Sequence, residues 1–432
     1  MIGEDLAEIK VQVGRLAEYD EEILSQVTRS INVSTEKKPA SPPLILPQLD
    51  TQHFTGREDE LQQLEQLLLT PDGPRVAGIA GLTGTGGMGK SALAIHFAAI
   101  YSKQFPDGVI GLRVDGKQVD TLAQQFAHHA GVEIEPKLEL SATEIMQSVF
   151  QEKHGLLIFD NAEEAVVRDL LPGGNCCAVI VTTRSRGLLR SFGIPTAAQI
   201  DLPRFTFEET KCFLSQMVGE QGEQRVITEL EAVRNIHTLV GGLPLALRIV
   251  GGILQELPFL SLTEYATMLH DEKEQLLLHL HDPNDPDLDV RVSFSLSLKF
   301  LNEDQKNLFA CLGACAPEGF SLHGAQVVSN QSEITVKYGL GRLLSLSLID
   351  QTTKTDRFVL HPLLLLFARE LAQEQNLLAE AEQRHTDYFI QYANEYRSFS
   401  PTDMDALETE LYALLLTAQR LERSSGTHWH TE

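Results

Sequence analysis

The stretch GLTGTGGMGKSALA, Gly81–Ala94, decides the fold of this chain, because five of its fourteen residues are glycine. An apolar run, Val76–Leu82, precedes the glycines, and a segment with helical patterning, Ser91–Tyr101, follows them. Glycine adopts the left-handed backbone conformations that a tight loop between two such segments requires. The stretch therefore predicts a unit in which a strand, a glycine-rich loop and a helix follow one another.

Strand and helix patterns alternate from Arg75 to about Phe205. Beyond Val76–Leu82, short apolar runs predict strands at Val109–Val114, Leu156–Phe159, Val179–Val181 and Ala198–Leu202. Helical patterns lie between these runs, and such alternation builds a parallel sheet with helices on both faces. The predicted fold class is an α/β domain of this kind, followed by a helical subdomain, a winged-helix domain and C-terminal helices.

The glycine-rich loop matches the phosphate-binding pattern G-x-x-x-x-G-K-[ST] between Gly84 and Ser91. In a P-loop NTPase, backbone N–H groups of the loop and of the helix N-terminus point at phosphate oxygens. Lys90 is expected to bridge the β- and γ-phosphates, and the Ser91 hydroxyl to hold Mg²⁺. A glycine-rich turn without a ligand is the alternative, and the flanking strand and helix argue against it. The loop residues predicted to bind ADP or ATP are Gly84, Gly86, Gly87, Met88, Gly89, Lys90, Ser91 and Ala92.

Two further strand ends are predicted to complete the phosphate site. The run GLLIFD ends in Asp160, whose carboxylate is expected to bind Mg²⁺ through water. The run VIVTTR ends in Arg184, whose guanidinium is expected near the γ-phosphate, where it distinguishes triphosphate from diphosphate. Lys90, Asp160 and Arg184 are therefore the predicted catalytic residues.

Asn161 stands where many ATPases carry a second acid that polarises the attacking water. Its amide cannot accept a proton from that water. Glu163 and Glu164 are alternatives for the role, and they are equally well explained as solvated residues in the first turn of a helix. The sequence therefore favours slow hydrolysis or none.

The remaining patterns divide the chain into six segments. Residues 1–31 carry a heptad seam, interrupted at Asp20, which predicts an amphipathic helix that pairs as a coiled coil or docks on the body of the protein. Residues 32–50 contain four prolines and are predicted to form a linker. The other segments are predicted at 51–205 (nucleotide-binding domain), 206–284 (helical subdomain), 285–372 (helices and a hairpin, typical of a winged helix) and 373–432 (C-terminal helices).

Charge and hydropathy restrict the partners of the chain. Its 60 Asp and Glu against 35 Lys and Arg give a formal net charge of −25, which repels nucleic acid and anionic membranes over most of the surface. Its apolar runs are too short to span a membrane, and its acidic N-terminus lacks the apolar core of a signal peptide. A cytoplasmic protein is predicted.

The order of the motifs resembles that of the NB-ARC class of signal-transduction ATPases, the STAND group, and most closely that of its bacterial members. The resemblance covers about 51–372. It rests on six motifs in the order of the family: FTGRE (54–58), GTGGMGKS (84–91), LLIFDNAEE (156–164), VIVTTRSR (179–186), GGLPLAL (241–247) and FVLHPLL (358–364).

The resemblance implies roles for residues that spacing alone does not explain. Arg57 is expected near the adenine edge, and Pro244 is expected to pack on the adenine. His361 is expected to touch the β-phosphate of ADP. Leu360 and Pro362 depart from the family, because they stand where Met and Asp usually flank this histidine.

The resemblance further implies a switch that ADP holds closed and that opens on exchange for ATP. The open form is expected to assemble into homo-oligomers, with the N-terminal helix contacting a second copy or a protein effector. A ligand-sensing repeat array is expected from the C-terminal segment onward, with HTDYFIQYANEYR and ALETELYALLLTAQRLER as its first helices.

Two other functions would use the same domains. A transcriptional regulator would bind DNA through the winged helix. Residues 291–372, however, carry eight Lys and Arg against seven Asp and Glu, and this balance attracts DNA phosphates only weakly. A motor-like ATPase would turn over rapidly, and Asn161 argues against that. Nucleic acid is therefore not predicted as a partner, and turnover is predicted to be slow at most.

Overall fold

The computed structural model describes residues 42–47, 54–70, 75–81, 86–114, 118–132, 141–162, 165–172, 176–219, 222–279, 288–352, 357–396, 407 and 410–425. The predicted N-terminal helix at 1–31 lies outside these residues, as do Gly84, Glu163 and Glu164. The chain divides into two compact units, whose described parts are residues 42–296 and 297–425. The first unit combines the predicted nucleotide-binding domain with the helical subdomain.

A six-stranded parallel sheet forms the centre of the first unit. Its strands are β1 (Leu44–Ile45), β2 (Val76–Gly81), β3 (Val109–Arg113), β4 (Leu156–Asp160), β5 (Ala178–Thr182) and β6 (Gln199–Leu202). The strands lie in the order β1-β3-β4-β5-β2-β6, and every neighbouring pair is parallel. β4 and β5 are buried throughout, as their continuous apolar runs require for strands covered on both faces. The predicted α/β P-loop fold is confirmed.

Helices flank the sheet and then continue without strands. They are α1 (Glu58–Leu68), α2 (Lys90–Tyr101), α3 (Val119–His129), α4 (Ala142–Phe150), α5 (Arg186–Ser191), α6 (Phe207–Met217), α7 (Gly222–Thr228), α8 (Leu230–Leu239), α9 (Pro244–Glu256), α10 (Leu262–His279) and α11 (Leu288–Leu298). Capping boxes begin α4 at Ser141 and α6 at Thr206. The helical run predicted after Thr206 is therefore present in the structure.

Aromatic packing fixes α3 and α4 against the sheet. The Phe126 ring lies 5.0 Å from that of Phe159 in β4 and 6.5 Å from that of Phe150 in α4. All three rings are fully buried. Burial of such side chains stabilises the folded state by about 1.5–3 kcal/mol each, and in this cluster it packs α3 against β4 and α4 against α3.

The second unit contains a small antiparallel sheet among helices. Its elements are α12 (Glu303–Leu312), β7 (Phe320–Ser321), α13 (Leu322–Ser329), α14 (Glu333–Ser345), β8 (Asp350–Gln351), β9 (Arg357–Val359), α15 (Pro362–Glu374), α16 (Leu378–Glu395) and α17 (Leu411–Ser425). The strands lie in the order β7-β9-β8, so the predicted hairpin is confirmed as the β8–β9 pair. The winged-helix assignment stays a prediction.

One short strand lies where a linker is predicted. Leu44 and Ile45 pair in parallel with Val109 and Ile110 at the edge of the large sheet. Residues 32–50 are thus not linker throughout. Two strand residues are too few for an alternating pattern, and the prolines around them point to a linker although an edge strand tolerates them. The other predicted segment boundaries stay predictions.

Across the ranges that the structure describes, no helix is both long and apolar enough to cross a membrane.

Candidate nucleotide site

The described part of the phosphate loop has the backbone that an anion site requires. Gly87 and Gly89 have φ values of 74° and 87°, in the left-handed region that glycine adopts without strain. A Cβ on Gly89 would meet nothing within 4 Å, so space lies in front of α2 at this point. The first N–H groups of a helix have no partner within it, and together with the helix dipole they favour an anion there.

Lys90 is the first residue of α2, and its side chain is 9% exposed. Met88 is buried beside it. Ser91 and Ala92 follow in the first turn of α2, as predicted from the motif. The structure thus brings the described loop residues together at the N-terminus of one helix, while Gly84 and Thr85 lie outside the described ranges.

Hydrogen bonds connect the loop to Asp160 across the sheet. The Ser91 Oγ donates to Asp160 Oδ1 at 2.6 Å, and the Thr182 Oγ1 donates to the same oxygen at 2.7 Å. Asp160 ends β4 and is only 7% exposed, so these bonds determine the orientation of its carboxylate. Carboxylate and hydroxyl oxygens are ligands that Mg²⁺ prefers. The residues present therefore fit the predicted ion.

Asn161 adopts a left-handed backbone with φ 59°. Its N–H donates to Thr182 Oγ1 at 2.8 Å, and the N–H of Ala162 donates to the Thr182 carbonyl at 2.8 Å. Asparagine tolerates this conformation better than most residues other than glycine. The left-handed backbone is therefore a structural reason for asparagine at this position. A separate, chemical consequence is that the amide cannot accept a proton from the attacking water.

The phosphate loop contacts the first turn of α9 directly. The Leu245 N–H donates to the Gly87 carbonyl at 3.2 Å. A Cβ on Gly87 would lie 2.9 Å from Leu245 Cβ, so only glycine allows this approach. Pro244 is the first residue of α9 and is half-buried. The structure thus places the predicted adenine-packing residue next to the residue that touches the loop.

A glycine turn supported by His237 leads the chain into α9. Gly241 and Gly242 have φ values of 60° and 65°, and the Gly242 N–H donates to the His237 carbonyl at 3.0 Å. His237 Nδ1 lies 2.8 Å from the buried Thr210 Oγ1. Burial, and secondarily the charge of Arg234, lowers the pKa of His237. A neutral ring is the form that this setting favours. Sequence reasoning missed this histidine because the motif it supports begins four residues later.

The side chain of Arg57 joins α1 to the connection between β6 and α6. Its Nη2 donates to the Pro203 carbonyl at 2.6 Å, its Nη1 lies 3.3 Å from Glu60 Oε1, and its guanidinium carbon lies 4.9 Å from the Phe205 ring centroid. The residue is 4% exposed. The Phe205 N–H in turn donates to the Gly242 carbonyl at 2.8 Å. Arg57 therefore lies within a continuous network that reaches the turn before α9, and its contact with adenine stays a prediction.

Arg184 and His361 occupy different units. Arg184 is half-buried two residues after the end of β5. His361 precedes α15, where its Nδ1 accepts the Leu363 N–H at 3.2 Å and Pro362 occupies the first helical position. Contact of Arg184 with the γ-phosphate, and of His361 with the β-phosphate, stay predictions.

The NB-ARC domain family matches residues 57–224. This stretch of the chain is therefore an NB-ARC domain. The match contains Arg57, the described loop residues, Asp160 and Arg184, and it ends before Pro244 and His361. This NB-ARC protein is accordingly a nucleotide-binding P-loop protein of the STAND type.

Two curated relatives are the regulatory protein AfsR of Streptomyces griseus and of Streptomyces coelicolor. The first is 28% identical over 85% of this chain and 37% of its own length, and the second is 30% identical over 87% of this chain and 39% of its own length. The disease resistance protein TAO1 of Arabidopsis thaliana is 23% identical over 77% of this chain and 27% of its own length. The chain thus spans at most about two fifths of the length of these curated relatives.

Among solved structures, the chain is similar to the STAND protein PH0952 of Pyrococcus horikoshii, which has a tetratricopeptide repeat sensor. The TM-score is 0.49 and the identity 15%, over 88% of this chain and 54% of that protein.

Proposed function

We propose that this NB-ARC protein is a signalling switch, in which bound ADP maintains a closed state and exchange for ATP opens it for self-association. The observation that carries the proposal is the bond between the Gly87 carbonyl and the Leu245 N–H. The loop that would hold the phosphates is thereby in direct contact with the helical subdomain. A change in the loop on nucleotide exchange would act on α9 without an intervening element.

Different residues of the first unit would bind different parts of the nucleotide. Lys90 and the loop amides would hold the phosphates, while Pro244 would pack on the adenine beside Arg57. Mg²⁺, held by Ser91 and Asp160, would neutralise phosphate charge. The two nucleotides differ by the γ-phosphate alone, so the switch requires a residue that senses it, because a ligand shifts an equilibrium only through contacts that differ between the states. Arg184 is the proposed sensor.

His361 would complete the closed state from the second unit. Because its Nδ1 accepts the Leu363 N–H, the proton of the neutral ring lies on Nε2. That N–H is the group that could donate to a β-phosphate oxygen. Pro362 replaces the usual aspartate and starts α15, so the histidine would act without the neighbouring carboxylate.

Slow hydrolysis is part of the proposal. Asn161 has no carboxylate to polarise water, and its N–H and the N–H of Ala162 both donate to Thr182. A protein that keeps its nucleotide for long periods suits a switch, and one with turnover of about 1 per second or faster would be an ordinary enzyme.

The test is the identity and retention of the nucleotide. The full chain, purified without added nucleotide, is expected to contain ADP on chromatography of a heat-denatured sample. Lys90→Ala is expected to contain none, and His361→Ala is expected to release ADP faster by about tenfold, equivalent to about 1.4 kcal/mol. The exposed His154→Ala is the matched control. Equal release from wild type and His361→Ala would refute the role of His361.

Light scattering after loading with ADP or with a non-hydrolysable ATP analogue tests self-association. The ADP form is expected to have the lower mass. Identical masses in both states, at concentrations of tens of micromolar, would refute the proposed opening.

The second candidate function is a regulator that binds DNA through the predicted winged helix. The element order from α12 to β9, with one strand before two helices and a hairpin after them, supports that domain type. The near-neutral charge of residues 291–372 and the net charge of −25 argue against DNA binding. Salt-dependent binding of duplex DNA by the full chain would favour this candidate over the switch.

A further inference from the structure

The position of β5 in the sheet places Thr182 between the strand before the phosphate loop and the strand that ends in Asp160. β5 lies between β2, which leads into the phosphate loop, and β4, which ends in Asp160. Thr182 is the last residue of β5, pairs with Ile79 of β2 and is 1% exposed. No solvent competes for its hydroxyl, so every hydrogen bond of this group is made to the protein.

The hydrogen-bond directions at Thr182 follow from its partners. A hydroxyl has one hydrogen to donate and lone pairs to accept with. The Asn161 N–H can only donate, at 2.8 Å, so Thr182 Oγ1 accepts there and gives its own hydrogen to Asp160 Oδ1 at 2.7 Å. The Thr182 carbonyl accepts the Ala162 N–H. One residue thus holds three successive positions, 160 to 162.

This arrangement distinguishes the two oxygens of the Asp160 carboxylate. Oδ1 receives hydrogen bonds from both Ser91 and Thr182, which occupy its two lone pairs. Oδ2 would therefore be the oxygen available to an ion or its water shell. With Ser91 alone as donor, the carboxylate could rotate about its Cβ–Cγ bond, and the two oxygens would no longer be distinguished.

We propose that Thr182 is a positioning residue for the magnesium ion of the bound nucleotide. Its hydroxyl donates to the Asp160 carboxylate and so orients it. The same hydroxyl oxygen accepts the Asn161 N–H and so stabilises the left-handed backbone at Asn161. The inference rests on the proposed nucleotide site and adds to it the residue that sets its affinity for the divalent cation. Removal of a hydrogen-bond partner of a metal-binding carboxylate typically lowers metal affinity by about 10–100-fold.

Three variants separate the hydroxyl from the shape of the side chain. Thr182→Val keeps the volume and the β-branch and removes both hydroxyl bonds. Thr182→Ser keeps the hydroxyl and removes the methyl group. Thr183→Val is the matched control, because this neighbour is equally buried at the same strand end and its hydroxyl accepts the Ser185 N–H rather than contacting Asp160.

The experiment is a titration of the full chain with Mg²⁺ at a fixed concentration of N-methylanthraniloyl-ADP, followed by fluorescence, with a parallel series in EDTA. Wild type, Thr182→Ser and Thr183→Val are expected to share one Mg²⁺ midpoint within about threefold. Thr182→Val is expected to need at least tenfold more Mg²⁺. Its affinity for the nucleotide in EDTA is expected to stay within about threefold of wild type, because the phosphate loop is intact.

Failure of the positioning role of Thr182 and failure of the nucleotide site give different outcomes. An unchanged midpoint in Thr182→Val, or a tenfold shift in Thr182→Ser, would overturn the positioning role. Loss of nucleotide affinity in EDTA as well would assign Thr182 a purely structural role and would also overturn it. Absence of any nucleotide binding in the wild type would refute the nucleotide site itself. If Thr182→Val does not fold, Thr182→Ala replaces it with the same expected shift, and the serine variant still tests the hydroxyl.

Discussion

Substitution of Gly87 by alanine tests the contact between the phosphate loop and the helical subdomain. The new Cβ would lie 2.9 Å from Leu245 Cβ and 3.2 Å from Leu245 Cδ2. The first of these distances is shorter than two carbon atoms tolerate, because carbon pairs attract best at about 3.5–4.0 Å. Either α9 must move away from the loop or the loop must change shape.

Two costs add in the loss of unfolding free energy that Gly87→Ala is expected to cause. An alanine at φ 74° costs about 1–2 kcal/mol relative to glycine, and overpacking against Leu245 costs about 1–3 kcal/mol. Gly87→Ala is therefore expected to lower the free energy of unfolding by about 2–5 kcal/mol. Gly89→Ala has the backbone cost, because the φ of Gly89 is 87°. It has no overpacking cost, because the new Cβ would meet nothing within 4 Å. The difference between the variants, about 1–3 kcal/mol, measures the contact.

The assay is thermal unfolding of the nucleotide-free full chain, followed by circular dichroism. The transition of the first unit is identified in the wild type as the one that ADP shifts upward. A change of 1 kcal/mol moves the midpoint of a domain of this size by about 2–4 °C. Gly87→Ala is thus expected to melt about 2–12 °C below Gly89→Ala. Equal midpoints for the two variants would refute the reasoning, because they would show that Leu245 yields without cost.

Two further predictions concern stability. Burial, and secondarily the charge of Arg420, lowers the pKa of His385 to about 3 from 6.5. The unfolded chain therefore binds a proton below pH 6.5 that the native chain does not, so this group destabilises the fold as pH falls from there toward 3. About 1.4 kcal/mol should be lost between pH 7.5 and 5.5, and His385→Leu should lack that part of the slope in urea unfolding; equal slopes would contradict the assignment. Asp289 accepts hydrogen bonds from Arg204 at 2.7 Å and Lys273 at 3.0 Å. In the same assay, Asp289→Ala should cost about 1–3 kcal/mol, whereas Glu303→Ala, which breaks an exposed pair, should cost about 0–1 kcal/mol. Equal costs would show that the Asp289 pairs add nothing.

The strands of the large sheet and the phosphate loop could be predicted because their causes are local. Each of the five longer strands is an apolar run, and no end of these strands in the structure lies more than one residue from its predicted position. The loop is defined by glycines and Lys90 within eight positions. The position of Asp160 beside the phosphate loop could also be predicted, since parallel strands bring their carboxyl ends to one edge.

The contacts that support the site could not be predicted, because they join residues far apart in sequence. Arg57 binds the Pro203 carbonyl 146 positions away. Gly87 meets Leu245 although β5 and part of the helical run lie between them in the sequence. Thr182 was visible as a polar residue at the end of an apolar strand, but its partner depends on β5 lying beside β4. Such pairings arise from tertiary packing, for which a single sequence carries no periodic signal.

The short strand β1 has a consequence for the association of this protein with other chains. Its two residues occupy the hydrogen-bonding edge of β3, which would otherwise offer a template for strand addition. Pro43 and Pro47 enclose the strand, and a proline cannot donate the backbone hydrogen that a further strand would need. The first unit therefore carries its own protection against aggregation at this edge. Deletion of residues 42–47 should raise its tendency to form intermolecular sheets during refolding, even where the nucleotide site is untouched.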